Sequence, residues 1–255
     1  MLSPGGSSGR VPVEDNETID ELRRLGLHVA QQKDGYRFSL DPLLLCDFCE
    51  PGGRVSIADL GTGCGIIPLV LARLEPAAAI VGIEHQEAMA ELARRNVAAN
   101  GLVDRITIFH EDLLHLRSRY PVSTFDLVVA NPPFRKQGTG KISPKAGRDL
   151  ARHESTARLA DFVATAKYLV KPAGRICFIY HPSRLAELLA VAADLKLAPL
   201  RLRMVHGSCS AEARMFLVEL AKGRSGEMRV LPPLVVYDED GRYTEEVGRI
   251  LGGEG

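Results

Sequence analysis

The sequence predicts an α/β fold with a mostly parallel sheet of seven strands that ends in an antiparallel hairpin. From residue 41 to residue 195, short apolar runs alternate with amphipathic segments of helix length, which is the pattern of a parallel sheet covered by helices on both faces. Two further apolar runs, at 197–206 and 214–221, are separated only by the loop GSCSAEA. With no helix between them, they are expected to pair antiparallel at one edge.

Local signals set the ends of several elements. Asp41 is a suitable N-cap, and Pro42 a suitable first residue, for a helix at 41–48. Gly101 caps the end of a helix at 87–99, and the Lys-Pro-Ala-Gly sequence at 171–174 stops a helix at 156–170. Residues 22–27 suggest a short helix or turn, and 35–40 an extended segment. The predicted strands are 55–60, 79–83, 105–109, 125–130, 175–180, 197–206 and 214–221, and the remaining predicted helices are 66–74 and 183–195.

Length and composition indicate one large domain with short additions. The chain has 255 residues, zero formal net charge and a pI near 7.1, so any surface that attracts nucleic acid must be local. The small, polar residues 1–14 are expected to be disordered, 15–223 to form the domain, and 224–255, with an apolar run at 230–236 and a short charged helix, to pack on it as an extension. A monomer is expected.

The five cysteines are irregularly spaced, as expected for reduced, mostly buried thiols in a cytoplasmic protein. Cys46 and Cys49 form a lone CxxC pair within a predicted helix, which favours packing over a metal or redox role. The sequence contains neither an apolar run of transmembrane length nor a signal-peptide pattern, and no membrane association is expected.

The most informative stretch is VSIADLGTGCG at residues 55–65, where a buried strand runs into a glycine-rich turn and then a helix. Gly61 and Gly63 let the backbone approach a ligand closely. A dinucleotide fingerprint requires a glycine at position 66, which is Ile66 here, and Asp59 would face a pyrophosphate unfavourably. A carboxylate suits a ligand with a positive end, such as S-adenosylmethionine. The alternative is a glycine-rich turn that binds no ligand.

Acidic residues follow the next two strands. Glu84 ends the second strand, where a carboxylate can accept hydrogen bonds from both hydroxyls of a ribose. Asp112 follows the third strand and can accept from the exocyclic amine of an adenine. Because ligands of open α/β sheets bind at the carboxyl edge, Asp59, Glu84 and Asp112 are expected to form one cofactor site. The alternative for each is a solvated residue at a strand end.

The sequence Asn131-Pro132-Pro133-Phe134 directly follows the fourth strand. The two prolines fix the backbone and remove two donors, so that carbonyl oxygens face the site. The side-chain oxygen of Asn131 and the carbonyl of Pro132 can both accept from one NH₂ group, and Phe134 offers a face for stacking a planar base. Two acceptors free the lone pair of a conjugated amine for attack on a methyl group, by positioning and electrostatic preorganisation. The alternative is a simple proline turn.

A polar stretch rich in cations and glycine comes next. A basic, flexible loop beside an acceptor pocket can contact an RNA phosphate backbone, although a solvated loop has the same composition. The candidate RNA-binding residues are Arg135, Lys136, Lys141, Lys145, Arg148 and Arg152.

DLGTGCG, the acid after the second strand, ED after the third and NPPF after the fourth resemble the amino-methyltransferases of the class I fold, which act on adenine N6, cytosine N4 or a glutamine amide. Four further stretches resemble the tRNA adenine-N6 methyltransferases of the tRNA1(Val) type. These are YRFSLD at 36–41, RHE at 152–154, RLRMVH at 201–206 and PLVVYDEDGRYTEE at 233–246.

The resemblance implies a Rossmann-like class I fold, S-adenosylmethionine as the cofactor and, as substrate, the tRNA adenine 3′ to the anticodon. Asn131 is then expected at the cofactor as well as at the adenine, and no metal is implied. Two alternatives stay open: another amino-methyltransferase, acting on a ribosomal RNA base or a protein glutamine, and a non-catalytic RNA-binding module. Binding RNA alone requires none of Asp59, Glu84 and Asn131.

Overall fold

The computed structural model describes residues 14–33, 39–53, 55–133 and 157–251, which form two sheets and six helices. Phe134 and the six candidate RNA-binding cations lie outside the described residues, as do residues 1–13 and 35–38. The strands are β1 (Glu17–Leu22), β2 (Leu27–Gln32), β3 (Ser56–Leu60), β4 (Ala79–Glu84), β5 (Ile106–His110), β6 (Phe125–Ala130), β7 (Val170–Tyr180), β8 (Leu197–His206), β9 (Ala213–Lys222), β10 (Arg229–Val230) and β11 (Leu234–Val235). The helices are α1 (Asp41–Cys49), α2 (Ile66–Leu74), α3 (Glu87–Ala99), α4 (Leu159–Leu169), α5 (Leu185–Asp194) and α6 (Glu245–Leu251).

The main sheet has the strand order β10-β8-β9-β7-β6-β3-β4-β5, with β11 also paired to β8. Strands β3 to β7 are parallel, while β9 runs antiparallel to both β7 and β8. The α/β fold with a terminal antiparallel hairpin is therefore confirmed. The sheet contains two further strands that were not predicted, β10 and β11. Each has two residues and pairs parallel with β8.

Apolar residues fill both faces of the main sheet. Alternate residues of β3 show this, because Ile57 packs in the cluster formed with α1, α2 and α3, whereas Ala58 packs in the cluster formed with α4 and α5. The two covered faces leave the edges of the sheet for polar side chains, and the carboxyl edge is where a ligand can reach several strands. No described helix is long and apolar enough to cross a membrane.

The structure corrects several local predictions. The residue at the N-cap of α1 is Leu40, with Asp41 one position inside the helix, and Ser39 and Leu40 are not in a strand. Strand β7 starts at Val170, so the segment predicted only to stop a helix already belongs to the sheet. Residues 23–25 do form a short 3-10 helix, but it is the turn of an unpredicted antiparallel hairpin, β1–β2.

Four of the five cysteines are buried, namely Cys46, Cys49, Cys64 and Cys177, and all five are free thiols. Burial raises the pKa of Cys46 and Cys49 well above the usual range and that of Cys64 to about 12. These thiols are therefore protonated packing groups. Cys209 is exposed in the loop between β8 and β9.

Side-chain hydrogen bonds from β8 hold the segment that contains Pro232 and α6 against the sheet. Both terminal nitrogens of Arg203 donate to the carboxylate of Glu246, each at 2.8 Å, and Arg203 Nε donates to the carbonyl of Pro232 at 2.9 Å. Such a two-point arginine–carboxylate contact fixes orientation as well as distance. It holds α6 and the strand-like segment before it against the sheet.

Candidate functional site

Four polar side chains lie at the carboxyl ends of four adjacent strands. Asp59 is near the end of β3, Glu84 ends β4, Asp112 follows β5 and Asn131 follows β6. The strand order β6-β3-β4-β5 and its parallel register bring these ends to one edge. The four residues therefore lie at one edge of the sheet, and their role in binding a cofactor stays a prediction.

The loop after β3 turns sharply over this edge. Gly61, Gly63 and Gly65 have φ angles of 77°, 57° and 85°, which residues with a side chain rarely adopt. The backbone N–H groups of Gly61 and Thr62 both donate to the carbonyl of Ile83, at 2.8 and 2.9 Å. A Cβ atom on Gly63 would meet nothing within 4 Å, so this part of the loop is open to a ligand.

Glu84 holds the glycine loop in place. One carboxylate oxygen accepts from the backbone N–H of Gly63 at 2.8 Å, and the other accepts from the N–H of Gln86 at 2.9 Å. Each carboxylate oxygen can accept two hydrogen bonds, so both keep one acceptor position. The buried Glu84 can therefore order the loop and still accept from a diol.

Asp59 is fully buried, and neither of its carboxylate oxygens has a hydrogen-bond partner among the described residues. The hydroxyl of Thr62, three residues along the chain, is buried and unpartnered in the same part of the structure. Burial raises the pKa of Asp59 to about 7, a net value in which the nearby Thr62 hydroxyl acts to lower the pKa and the charge of Glu84 acts to raise it. Buried polar groups without a partner are costly, which indicates a site completed by a ligand with donors.

Asn131 presents a second unpartnered acceptor. Its side-chain oxygen is buried and accepts no hydrogen bond from the described residues. The turn that carries it is fixed on its far side, where the hydroxyl of Tyr180 donates to the carbonyl of Pro133 at 3.4 Å. Pro132 is buried between these residues. Asn131 and Asp59 thus supply buried acceptor atoms that have no hydrogen-bond partner among the described residues, and such atoms suit an amine.

Asp112 is partly engaged in local structure. Its Oδ1 accepts from the backbone N–H of Leu114 at 2.9 Å, which caps the 3-10 helix after β5, and its Oδ2 lies 3.8 Å from Nδ1 of His85. One oxygen is therefore used in capping. The other lies beside His85, the residue that follows Glu84.

Residues 42–184, slightly more than half of the chain, match the family model of the methyltransferase small domain. The chain belongs to this methyltransferase family. A tRNA1(Val) (adenine(37)-N6)-methyltransferase of Porphyromonas gingivalis is 35% identical to this methyltransferase over 79% of the chain and 80% of the relative.

Solved structures agree on the fold. A protein of Agrobacterium tumefaciens described as a predicted O-methyltransferase superposes with a TM-score of 0.69 at 23% identity, covering 84% of this chain and 96% of that one. A SAM-dependent O-methyltransferase of Thermotoga maritima superposes with a TM-score of 0.53 at 16% identity, covering 75% of this chain and 68% of that one. The methyltransferase therefore has the class I fold, and family and fold together imply S-adenosylmethionine as methyl donor.

Two residues that shape the site of this methyltransferase were not predicted from the sequence. Asn96, fully buried on α3, donates to the carbonyl of Cys64 at 2.9 Å, and it exchanges hydrogen bonds with the backbone of Ala30 at 2.8 and 3.0 Å. It thereby ties the glycine loop to β2. The available signal was a polar residue on the buried face of an amphipathic helix.

Gly82 is the second missed residue, and its replacement by alanine tests the packing under the loop. A Cβ atom there would lie 2.6 Å from Cδ1 of Ile108 and 2.9 Å from the hydroxyl oxygen of Thr62. We expect Gly82→Ala to lower the free energy of unfolding by about 1–3 kcal/mol, because the overpacked contact must be relieved. Urea unfolding of Gly52→Ala is the control, since a Cβ on Gly52 meets nothing within 4 Å. Equal midpoints for the two variants would contradict the expected clash.

Proposed function

We propose that this methyltransferase transfers a methyl group from S-adenosylmethionine to the exocyclic N6 amine of an adenine in tRNA, the adenine 3′ to the anticodon. The observation that carries the proposal is a pair of buried, unpartnered acceptors at the ends of two adjacent strands, the side-chain oxygen of Asn131 after β6 and the carboxylate of Asp59 in β3. The name of the Porphyromonas gingivalis relative, at 35% identity over most of both chains, supports the choice of substrate. In this proposal residues 15–223 are the methyltransferase domain, 224–255 are its extension, and the protein acts as a cytoplasmic monomer.

The described residues fit the cofactor. The Asp59 carboxylate can accept from the ammonium of the methionine part, and Glu84 keeps acceptor positions for the ribose hydroxyls. Gly63 leaves open space beside the backbone for the ligand, Gly61 is proposed to bring its own backbone close to it, and the second oxygen of Asp112 suits the adenine amine. A cation would stabilise the buried charge of Asp59 and a phosphate would repel it, so this carboxylate favours a cationic ligand over a phosphate.

Asn131 and Pro132 prepare the acceptor amine. Bound S-adenosylmethionine supplies a methyl group activated by its sulfonium. The side-chain oxygen of Asn131 and the carbonyl of Pro132 accept from the two hydrogens of the adenine NH₂, which turns its lone pair toward the methyl carbon. The nitrogen–carbon bond forms as the carbon–sulfur bond breaks, and the alkylated nitrogen then loses a proton to water. No strong base is required in this scheme.

The remaining roles fall on residues outside the described part of the chain. Phe134 is proposed to stack on the adenine, and the six cations between 135 and 152 to contact the phosphates of the tRNA. The target base must be splayed out of its loop to reach Asn131, as is usual for chemistry on a nucleobase. No metal takes part in this proposal.

The test is methyl transfer from labelled S-adenosylmethionine to tRNA lacking the modification, followed by digestion to nucleosides. Labelled N6-methyladenosine at the position 3′ to the anticodon is the expected product. Label in protein but not in tRNA would instead favour a glutamine methyltransferase, and label in ribosomal RNA an rRNA enzyme. Tight cofactor binding with no transfer to any of these would favour the non-catalytic RNA-binding module.

Cofactor affinity should depend on pH through Asp59. With a pKa of about 7 in the free protein, this carboxyl is mostly neutral at pH 6 and mostly ionised at pH 7.5. Only the ionised form attracts an ammonium, so the affinity for S-adenosylmethionine should rise several-fold over this interval. Isothermal titration calorimetry at both values measures the change, and Asp59→Asn should remove the dependence. A flat profile in the wild-type protein would count against the contact.

A further inference from the structure

A cavity of about 650 Å³ opens at the carboxyl edge of the sheet, beyond β7 as seen from Asn131. Its walls come from the start of α1, the residues that follow β7, the β8–β9 connection and the segment after β11. It adjoins the candidate active site through β7, because His181 lines the cavity and the preceding Tyr180 donates to the carbonyl of Pro133. One wall of the cavity therefore comes from the residue next to the tyrosine that contacts the turn carrying Asn131.

Two tyrosines form an exposed aromatic platform at this cavity. The rings of Tyr237 and Tyr243 stack with centroids 5.3 Å apart and an interplanar angle of 18°. They leave 39% and 48% of their surface exposed. A π-face held in solvent at the rim of a cavity is the arrangement on which unpaired nucleobases stack.

The platform is held in place before any ligand arrives. Tyr237 and Tyr243 face each other across an antiparallel bridge, and the backbone N–H of Tyr237 donates to the carbonyl of Gly207 at 2.9 Å. The contact of Arg203 with Glu246 fixes the helix that follows. A rigid aromatic pair loses little conformational freedom on binding.

The platform is too far from Asn131 to contact the same base. Tyr237 follows β11, which pairs with β8, and four strand spacings separate β11 from β6 in the order β11-β8-β9-β7-β6. At roughly 4.8 Å per spacing, the separation is about 19 Å, more than the length of a purine. A base on the platform is therefore a different one from the base at Asn131.

The charges near the platform favour a base over a phosphate. The tight turn between the two tyrosines contains Asp238, Glu239 and Asp240, and Asp238 Oδ1 accepts from the backbone N–H groups of Asp240 and Arg242 at 3.0 and 2.9 Å. Acidic side chains would repel an approaching phosphate. Within the cavity, Asp41 and Arg214 offer an acceptor and a donor for the polar edge of a base.

We propose that Tyr237 and Tyr243 bind a second unstacked nucleobase of the same RNA loop, distinct from the adenine that receives the methyl group. The inference rests on the proposed RNA substrate. Because the target adenine leaves the stack to reach Asn131, another base of a single-stranded loop loses a neighbour, and the platform replaces that neighbour. Binding then depends on the conformation of the RNA loop, and the platform contributes to substrate choice.

The test uses an RNA stem-loop taken from the substrate tRNA, with 2-aminopurine placed at one loop position at a time. Wild-type protein should quench the fluorescence at one position other than the methylated adenine. The double variant Tyr237→Leu/Tyr243→Leu should abolish that quenching and raise KM for RNA about 10- to 100-fold, because a stacked base is lost, with kcat and S-adenosylmethionine affinity unchanged. The double Phe variant keeps both rings and should behave as wild type.

The outcomes separate this inference from the proposed function. Val122→Ala, an exposed apolar residue before β6 at the opposite edge of the sheet, is the control and should leave KM unchanged. Unchanged KM in the folded double Leu variant, or quenching only at the methylated position, would overturn the inference. Should the double Leu variant unfold, the single Tyr243→Leu variant takes its place. The fluorescence titration needs no turnover, so RNA that is bound but not methylated by wild-type protein counts against the proposed function alone.

Discussion

Replacing Asn131 with alanine is expected to lower the rate of methyl transfer at least a hundredfold while leaving the affinity for S-adenosylmethionine within a few-fold. The side-chain oxygen of Asn131 has no partner among the described residues, so its role begins only when an amine binds. Removing one preorganised electrostatic contact of this kind typically costs two to three orders of magnitude in rate. Single-turnover transfer to tRNA, with cofactor affinity measured in parallel, gives both quantities.

The stability of the Asn131→Ala variant provides an internal check. Because the wild-type oxygen makes no hydrogen bond to the described residues, its loss should leave the free energy of unfolding unchanged or slightly higher. Asn16→Ala, at an exposed position before β1, serves as a matched control with full activity. A folded Asn131→Ala enzyme that turns over at the wild-type rate would remove Asn131 from the mechanism.

Replacing Asp59 with asparagine is expected to weaken S-adenosylmethionine binding at least tenfold and, at the same time, to stabilise the cofactor-free protein. The first effect follows from loss of the charge that meets the ammonium. The second follows from burial, because a fully buried carboxylate with no hydrogen-bond partner among the described residues is costly to ionise. Calorimetry measures the affinity, and urea unfolding measures the stability.

The stability gain of Asp59→Asn should depend on pH in a defined direction. The pKa of Asp59 is raised from an unfolded value near 4 to about 7, so its favourable contribution is complete below pH 4 and is lost as the pH rises to 7. Asp59→Asn should therefore raise the free energy of unfolding more at pH 8 than at pH 4. The two increases should differ by a few kcal/mol at most. An equal difference at both pH values would mean that the carboxyl is not buried in the free protein.

The residues of the carboxyl edge could be predicted because strand order and strand ends follow from local patterns. Asp59, Glu84 and Asn131 each stand where an apolar run stops, and parallel strands place their ends together. Gly82 and Asn96 could not be found this way. Their roles depend on Ile108 and Ala30, which are distant in sequence, and the polar residue on the buried face of α3 signals that Asn96 needs a partner but not which one.

The missed elements of the fold have a similar cause. The strands β1 and β2 mix acidic and amide side chains with apolar ones, and the burial of Leu27, Val29 and Ala30 of β2 depends on the main core, which is built from residues distant in sequence. β10 and β11 have two residues each, too few to show an alternation. Val170 continues into the sheet although its neighbours Lys171 and Pro172 are typical of a helix end.

The unequal exposure of the cysteines makes selective labelling possible. Four thiols are buried, so a maleimide dye should react with Cys209 first and nearly alone. Cys209 lies two residues after Gly207, whose carbonyl accepts a hydrogen bond from the backbone N–H of Tyr237. A fluorophore at this position, introduced without any engineered cysteine, would report directly on molecules that arrive at the tyrosines.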